Sequence, residues 1–280
     1  MPIRPEHARD PAAAREGEVL TFAGRKWRAF DLSQRLSNST SKNERMPHFI
    51  EYRDHAETAA ASQNKFGIGA EYWRNGSGWA DEQITLTTHS GTHVDAPWHY
   101  GATSAGEIAA TIDELPFRWF MGDGFVLDVR HIDRRQGVRE SDIREQLSRI
   151  NYQIKRYDIA LLRTDISERY HEPGYDKMHP GLREDGIRFL VEQGVRLVGI
   201  DAWGIDRPFE IMIEEAKRGD LHQLWESHFY GMTRPYSQIE KLSNLKSLPK
   251  SHGFQVIALP IRIDRASGAW SRVVALSPED

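Results

Sequence analysis

The chain has no cysteine among its 280 residues. That absence removes disulfide stapling, thiolate metal sites and a cysteine nucleophile together, so any bound metal must sit on nitrogen and oxygen. No apolar run approaches the roughly eighteen residues of a membrane span, and no membrane partner is expected. Basic residues form no block: 37 Lys and Arg against 41 Asp and Glu leave a formal charge of −4. Nucleic acid is therefore a poor partner, and a small-molecule substrate a better one. What is present is the mixture of an ordinary globule, 39% hydrophobic and 28% charged, which argues against disorder. Residues 1–17 mix prolines, charges and alanines without the apolar core of a secretory signal. They read as a flexible tail ahead of one domain over residues 18–280, with the cytoplasm as the expected compartment.

Residues 124–129, 159–164 and 195–201 are short apolar runs bounded by turn or charged residues, the pattern of buried strands. Between the last two, Ile187, Leu190 and Val191 recur at helical spacing in a stretch that opens at Gly181 and stops at Gly194. A second helix is expected over residues 141–150, capped by Ser141. Residues 254–263 and 271–276 flank a Gly268-containing turn and read as a hairpin. Gly122-Asp123-Gly124 lacks the continuation of a phosphate loop and reads as a turn. Parallel and antiparallel pieces coexist, so the fold class is α/β with mixed sheets and packed helices.

The richest segment runs from Thr85 to His99 and packs His89, His93, Asp95 and His99 into eleven positions. On a helix Asp95 would point away from His93, whereas an extended chain sends the side chains of His89, His93 and Asp95 to one side. Gly91 and Pro97 also oppose a helix, so a strand running into a loop is expected. Two imidazoles and a carboxylate suit Zn²⁺, Mn²⁺ or Fe²⁺, and a set without thiolates is typical of catalytic metals that keep a position open for water. Ser90 sits in no nucleophile elbow, and a metal makes a side-chain nucleophile unnecessary. His131, His171, His179 and His222 have no liganding partners at telling spacings and read as ordinary surface or core histidines.

The sequence His89-Ser90-Gly91-Thr92-His93-Val94-Asp95-Ala96-Pro97-Trp98-His99 resembles the signature of the cyclase superfamily, which contains bacterial kynurenine formamidase, isatin hydrolase and enzymes that open cyclic imides. By that resemblance the fold is a cyclase-like β/β/α swivelling fold, His89, His93 and Asp95 are metal ligands, and His99 is the general acid/base beside the ion. The resemblance continues with His228 and Glu240 as further ligands, followed by Leu242-Ser243-Asn244-Leu245 and a strand ending in Leu259-Pro260. Val198-Gly199-Ile200-Asp201 looks like the family's central strand end. The formamidase branch's Trp-Pro-Gly-Asp turn is missing after Asp31, and the extra length is closer to the branches acting on isatin or cyclic imides.

Together these readings describe a metal-dependent amidohydrolase with one or two divalent ions, Zn or Mn. A metal-activated water would cleave the C–N bond of a cyclic amide or imide, or of an N-formyl arylamine. A biosynthetic cyclase or dehydratase, and a non-catalytic metal-binding homologue, are the competing readings. Trp98 and Trp203 are the aromatics expected near a planar substrate. Tryptophan-rich insertions and the resemblance point to a homodimer or homotetramer.

Overall fold

The computed structural model describes residues 16–42 and 44–279. The expected tail lies outside them, apart from Glu16 and Gly17. In chain order the strands are β1 (Glu18–Phe22), β2 (Arg25–Asp31), β3 (Phe49–Arg53), β4 (Asp81–Thr85), β5 (His93–Asp95), β6 (Thr103–Ser104), β7 (Glu107–Ile108), β8 (Met121–Asp128), β9 (Ile159–Arg163), β10 (Leu197–Ile200), β11 (Ser237–Glu240), β12 (His252–Ile257), β13 (Gly268–Trp270) and β14 (Val274–Pro278). The helices are α1 (Asn38–Ser41), α2 (His55–Phe66), α3 (Pro97–Tyr100), α4 (Glu140–Arg149), α5 (Glu184–Glu192), α6 (Phe209–Lys217) and α7 (Glu226–Thr233).

Ten strands build one sheet in the order β1-β2-β14-β12-β8-β9-β10-β11-β5-β13, while β3 with β4 and β6 with β7 pair separately. Strands β8 to β11 run parallel, and the rest of the sheet is antiparallel. The three apolar runs read as buried strands form its parallel centre. Side chains alternate across a strand, so β8 sends Phe125 and Leu127 to the core under α4 and α5, and Val126 to the core shared with Phe254 and Val256. Each such fully buried side chain stabilises the fold by roughly 1.5–3 kcal/mol.

Several local expectations are corrected. Helix α4 begins at Glu140, so Ser141 is inside it, and Asp142 supplies the cap by accepting the Arg139 N–H at 2.8 Å. Gly181 precedes α5 and instead lies against the Asp206 backbone, where a Cβ would meet the Asp206 carbonyl carbon at 1.9 Å. Gly122 and Gly124 belong to β8 rather than to a turn: a Cβ would strike the Tyr157 carbonyl at one and the Phe254 and Val256 side chains at the other. The expected C-terminal hairpin exists as the antiparallel pair β12 and β14, but the chain between them leaves the pair, and β13 crosses to the far edge to pair with β5. After β5 the chain enters the helical turn α3 with Pro97 at its start, where a missing N–H is harmless.

Candidate metal centre and its cavity

Strand β5 buries all three of its residues, His93, Val94 and Asp95. Val94 faces one core, and alternation turns His93 and Asp95 to the opposite face. Antiparallel β11 sets Glu240 opposite His93 and Gln238 opposite Asp95, with Ile239 in the same core as Val94. Register alone thus brings four buried polar side chains onto one face of a two-strand strip.

Two further imidazoles arrive from other elements. His89 lies in the turn ahead of β5, not in a strand, and its Nδ1 is 2.7 Å from Asp95 Oδ1. His228 comes from the first turn of α7. Asp206, beyond the end of β10, accepts the backbone N–H groups of Ser227 at 2.7 Å and His228 at 3.3 Å, doing for α7 what a cap does. It also accepts the His228 Nδ1–H, which fixes the tautomer and leaves Nε2 with its lone pair toward the cluster. That Nε2 is 3.8 Å from Asp95 Oδ2 and 3.9 Å from Glu240 Oε1.

The donor set fits a divalent cation. His93 Nδ1 donates to the Gly91 carbonyl at 2.8 Å, so in the neutral ring Nε2 is an acceptor; it is buried without a hydrogen-bond partner. It lies 3.2 Å from Asp95 Oδ1 and 3.6 Å from Glu240 Oε2. Acceptors facing one another across a buried space repel unless positive charge joins them. The titration directions agree. Burial pulls the His89 imidazole down, but the charge and hydrogen bond of Asp95 outweigh it and the net shift is upward. His228 likewise ends raised, burial being overcome by Asp206. Glu240 is raised by burial and then by the Asp95 charge, whereas Asp95, although burial opposes it, is held well below the usual carboxylate range by His93, His99 and His89.

Ligand-type atoms group as two triads sharing Asp95, one with His93 and Glu240 and one with His89 and His99, each within 4.8 Å. Gln238 and Asp206 were not anticipated. The Gln238 amide nitrogen sits 2.7 Å from His228 Nε2, 2.9 Å from Asp95 Oδ2 and 3.3 Å from Glu240 Oε1, in the middle of the would-be ligands. Its position two residues before Glu240 on one strand was the signal that could have found it; Asp206 left none, because its partners lie on a different element.

Beside the cluster opens a cavity of about 380 Å³ walled by His89, His99, Trp203, Phe209, Met212 and Trp225, a size that suits a small ligand. His99 stacks on His89 at a centroid distance of 4.0 Å, and Trp225 on His228 at 4.1 Å. Burial lowers His99 to about 4 despite the pull of Asp95. Trp203 lines the cavity, but Trp98 does not; it is 42% exposed on α3, and Trp225 supplies the second tryptophan instead. His179 is buried with Nε2 on the Asp206 carbonyl at 2.9 Å. Among the described residues no helix is long and apolar enough to cross a membrane.

Known proteins resemble this chain in both sequence and fold. Kynurenine formamidase of Bacillus thuringiensis (strain Al Hakam) is 28% identical over 193 residues, 69% of this chain and 78% of that protein. The kynurenine formamidase of Bacillus cereus (strain ATCC 10987 / NRS 248) is 29% identical over the same shares. Isatin hydrolase A from Labrenzia aggregata, solved with benzyl benzoate, superposes with a TM-score of 0.69 at 23% identity, covering 90% of this chain and 94% of its own. An isatin hydrolase bound to the product analogue thioisatinate gives 0.68 at 22% identity, covering 90% and 92%. These superpositions establish the fold. The model of the family described as Putative cyclase matches residues 30–207, which take in the histidine segment and Asp206. With more than half of its length matched, the chain belongs to the Cyclase family.

Proposed function

We propose that this protein is a metal-dependent hydrolase that cleaves the C–N bond of a cyclic amide or imide, or of an N-formyl arylamine. The observation that carries the reading is His93 Nε2, buried without a hydrogen-bond partner against two carboxylates, one of which, Glu240, lines the aromatic-walled cavity. The kynurenine formamidase and isatin hydrolase relatives support it. His89, His93, Asp95, His228 and Glu240 would hold one or two ions, Zn or Mn. Such an ion polarises a carbonyl and lowers the pKa of water.

His99 does the proton work. With its pKa near 4 the imidazole is neutral at pH 7 but a weak base; it would take a proton only from a water already made acidic, and in its protonated form would give that proton readily to the leaving nitrogen. Stacking on His89 and an edge contact to Trp225 hold its ring. Trp203, Phe209 and Trp225 offer flat apolar walls that receive a planar substrate and exclude bulk water. A non-catalytic binding protein, or a cyclase that uses no water, has little need of a neutral imidazole beside the ligands. The chain is further expected to work in the cytoplasm as a homodimer or homotetramer, for which the exposed apolar side chains Phe49, Tyr52 and Ile84 are the support.

The test is to load the purified protein with Zn²⁺ or Mn²⁺ and assay isatin, phthalimide, hydantoin and N-formylkynurenine. Turnover of one of them supports the reading; absence of metal binding together with no turnover refutes it.

A further inference from the structure

One charged pair in the cavity wall takes no part in the chemistry above. Lys241 directly follows Glu240 and has a φ of +58°, a left-handed backbone that a non-glycine residue keeps only where its neighbours over-determine it. They do so here. Its N–H donates to the Ala202 carbonyl at 2.8 Å, and its own carbonyl accepts the Thr92 hydroxyl at 2.5 Å. Its ammonium donates to Glu44 at 2.8 Å and to the His89 carbonyl at 3.0 Å. The other Glu44 oxygen accepts the Tyr170 hydroxyl at 2.8 Å. Both partners of the Lys241–Glu44 pair are only 4% exposed. A buried ion pair adds little stability over apolar side chains of the same shape, so its presence beside the site asks for another role.

Glu44 lies among residues 37–42 and 44–48, which close on one another: the Glu44 N–H bonds the Ser41 carbonyl at 3.1 Å, and the His48 ring bonds the Ser37 carbonyl at 2.7 Å. Residues 44–46 form one wall of the cavity. The Arg45 guanidinium lies over the Trp203 and Phe209 rings, 5.4 Å and 5.3 Å from their centroids, and pairs with Asp176. Lys241 therefore joins this wall to the strand that carries Glu240 and to the turn that carries His89.

We propose that Lys241 and Glu44 are positioning residues: their pair latches the wall of residues 44–46 to the ligand cluster and so fixes the width of the slot between that wall and the aromatic side. The kinetic half of this inference rests on the hydrolase reading; the structural half does not. Lys241→Met alone leaves a buried carboxylate unpaired and can unfold the chain. The decisive variant is Glu44→Gln with Lys241→Met, which removes both charges and keeps the volumes.

In the folded, metal-loaded double variant, KM should rise about tenfold or more while kcat and metal content stay within about threefold, the signature of lost substrate positioning. Amide hydrogen exchange over residues 37–42 and 44–46 should quicken by about tenfold, because these residues open locally. Glu44→Asp, which keeps the charge, should shift KM less than the double variant. Unchanged KM and unchanged exchange overturn the latch; so does Glu44→Asp equalling the double variant, or loss of metal, which would make Lys241 a prop for the ligands. If the wild type hydrolyses nothing in the panel, the hydrolase reading falls while the exchange rates still decide the latch.

Discussion

Two antiparallel strand pairs in this molecule are the inverse of each other. On β5 and β11 the polar His93, Asp95, Gln238 and Glu240 are buried, whereas on β3 and β4 the apolar Phe49, Tyr52 and Ile84 are 59%, 42% and 47% exposed. Burying polar groups is unfavourable unless each finds a partner; the first pair rings its acceptors with imidazoles and the Gln238 amide, yet leaves His93 Nε2 without a hydrogen-bond partner. Large apolar side chains exposed near one another make the kind of patch that marks an interaction surface. Each inversion is where the reading proposed above places something from outside the chain: a cation at the first pair, another protein surface at the second.

The largest expected effect breaks the polar pair. His93→Ala or Asp95→Ala should strip the metal and abolish activity together, measured as metal content and turnover, since each removes a bond that fixes the ion. His99→Ala should leave metal content nearly intact and lower turnover by roughly 10²- to 10⁴-fold. If it empties the site as His93→Ala does, His99 is a ligand and another group moves the proton.

Next comes the apolar side of the same strip. Ile239→Ala should lower stability by roughly 2–5 kcal/mol in denaturant unfolding while metal content persists, because the cavity opens on the face away from the ligands. Loss of metal from the folded variant would show instead that the two faces of the strip are coupled.

A pH effect of similar size comes from His179, which burial lowers from 6.5 to about 4. Its neutral form is the native one, so between pH 6.5 and 4 the unfolded chain binds more protons. Stability is full above that window and falls with acidification, by roughly 3 kcal/mol at most for this group. His179→Gln should flatten the slope of unfolding free energy against pH; an unaltered slope would show that His179 is not its source.

The smallest effect on folding belongs to the exposed pair. Tyr52→Ser with Ile84→Ser, whose side chains share one face of the pair, should move stability by no more than about 0.5 kcal/mol per site, yet shift an oligomer toward monomer in light scattering. An unchanged assembly would mean that this surface is not where copies meet.

Much of this was legible from local pattern. The parallel centre of the sheet followed from short apolar runs, α5 from the spacing of Ile187, Leu190 and Val191, and the clustering of polar side chains from His89, His93 and Asp95. Gly122 and Gly124 misled because glycine also serves a strand that another backbone approaches closely, and sequence does not show the approaching Tyr157 carbonyl. Pro97 misled because proline opposes a helix interior but suits its first turn. Trp98 and Trp225 could not be ranked, since exposure depends on which face the neighbouring chain covers.

Residue types and their order set the chemistry available: no thiolate, a dense set of nitrogen and oxygen ligands, and strands that must alternate their faces. Which of those groups meet was settled by packing in three dimensions. Asp95 meets Gln238 across 143 positions, His228 takes its orientation from Asp206 across 22, and Lys241 finds Glu44 across 197. Local propensity carries no information over such separations; strand register, a helix capped from another element and the packing of a distant segment fixed them.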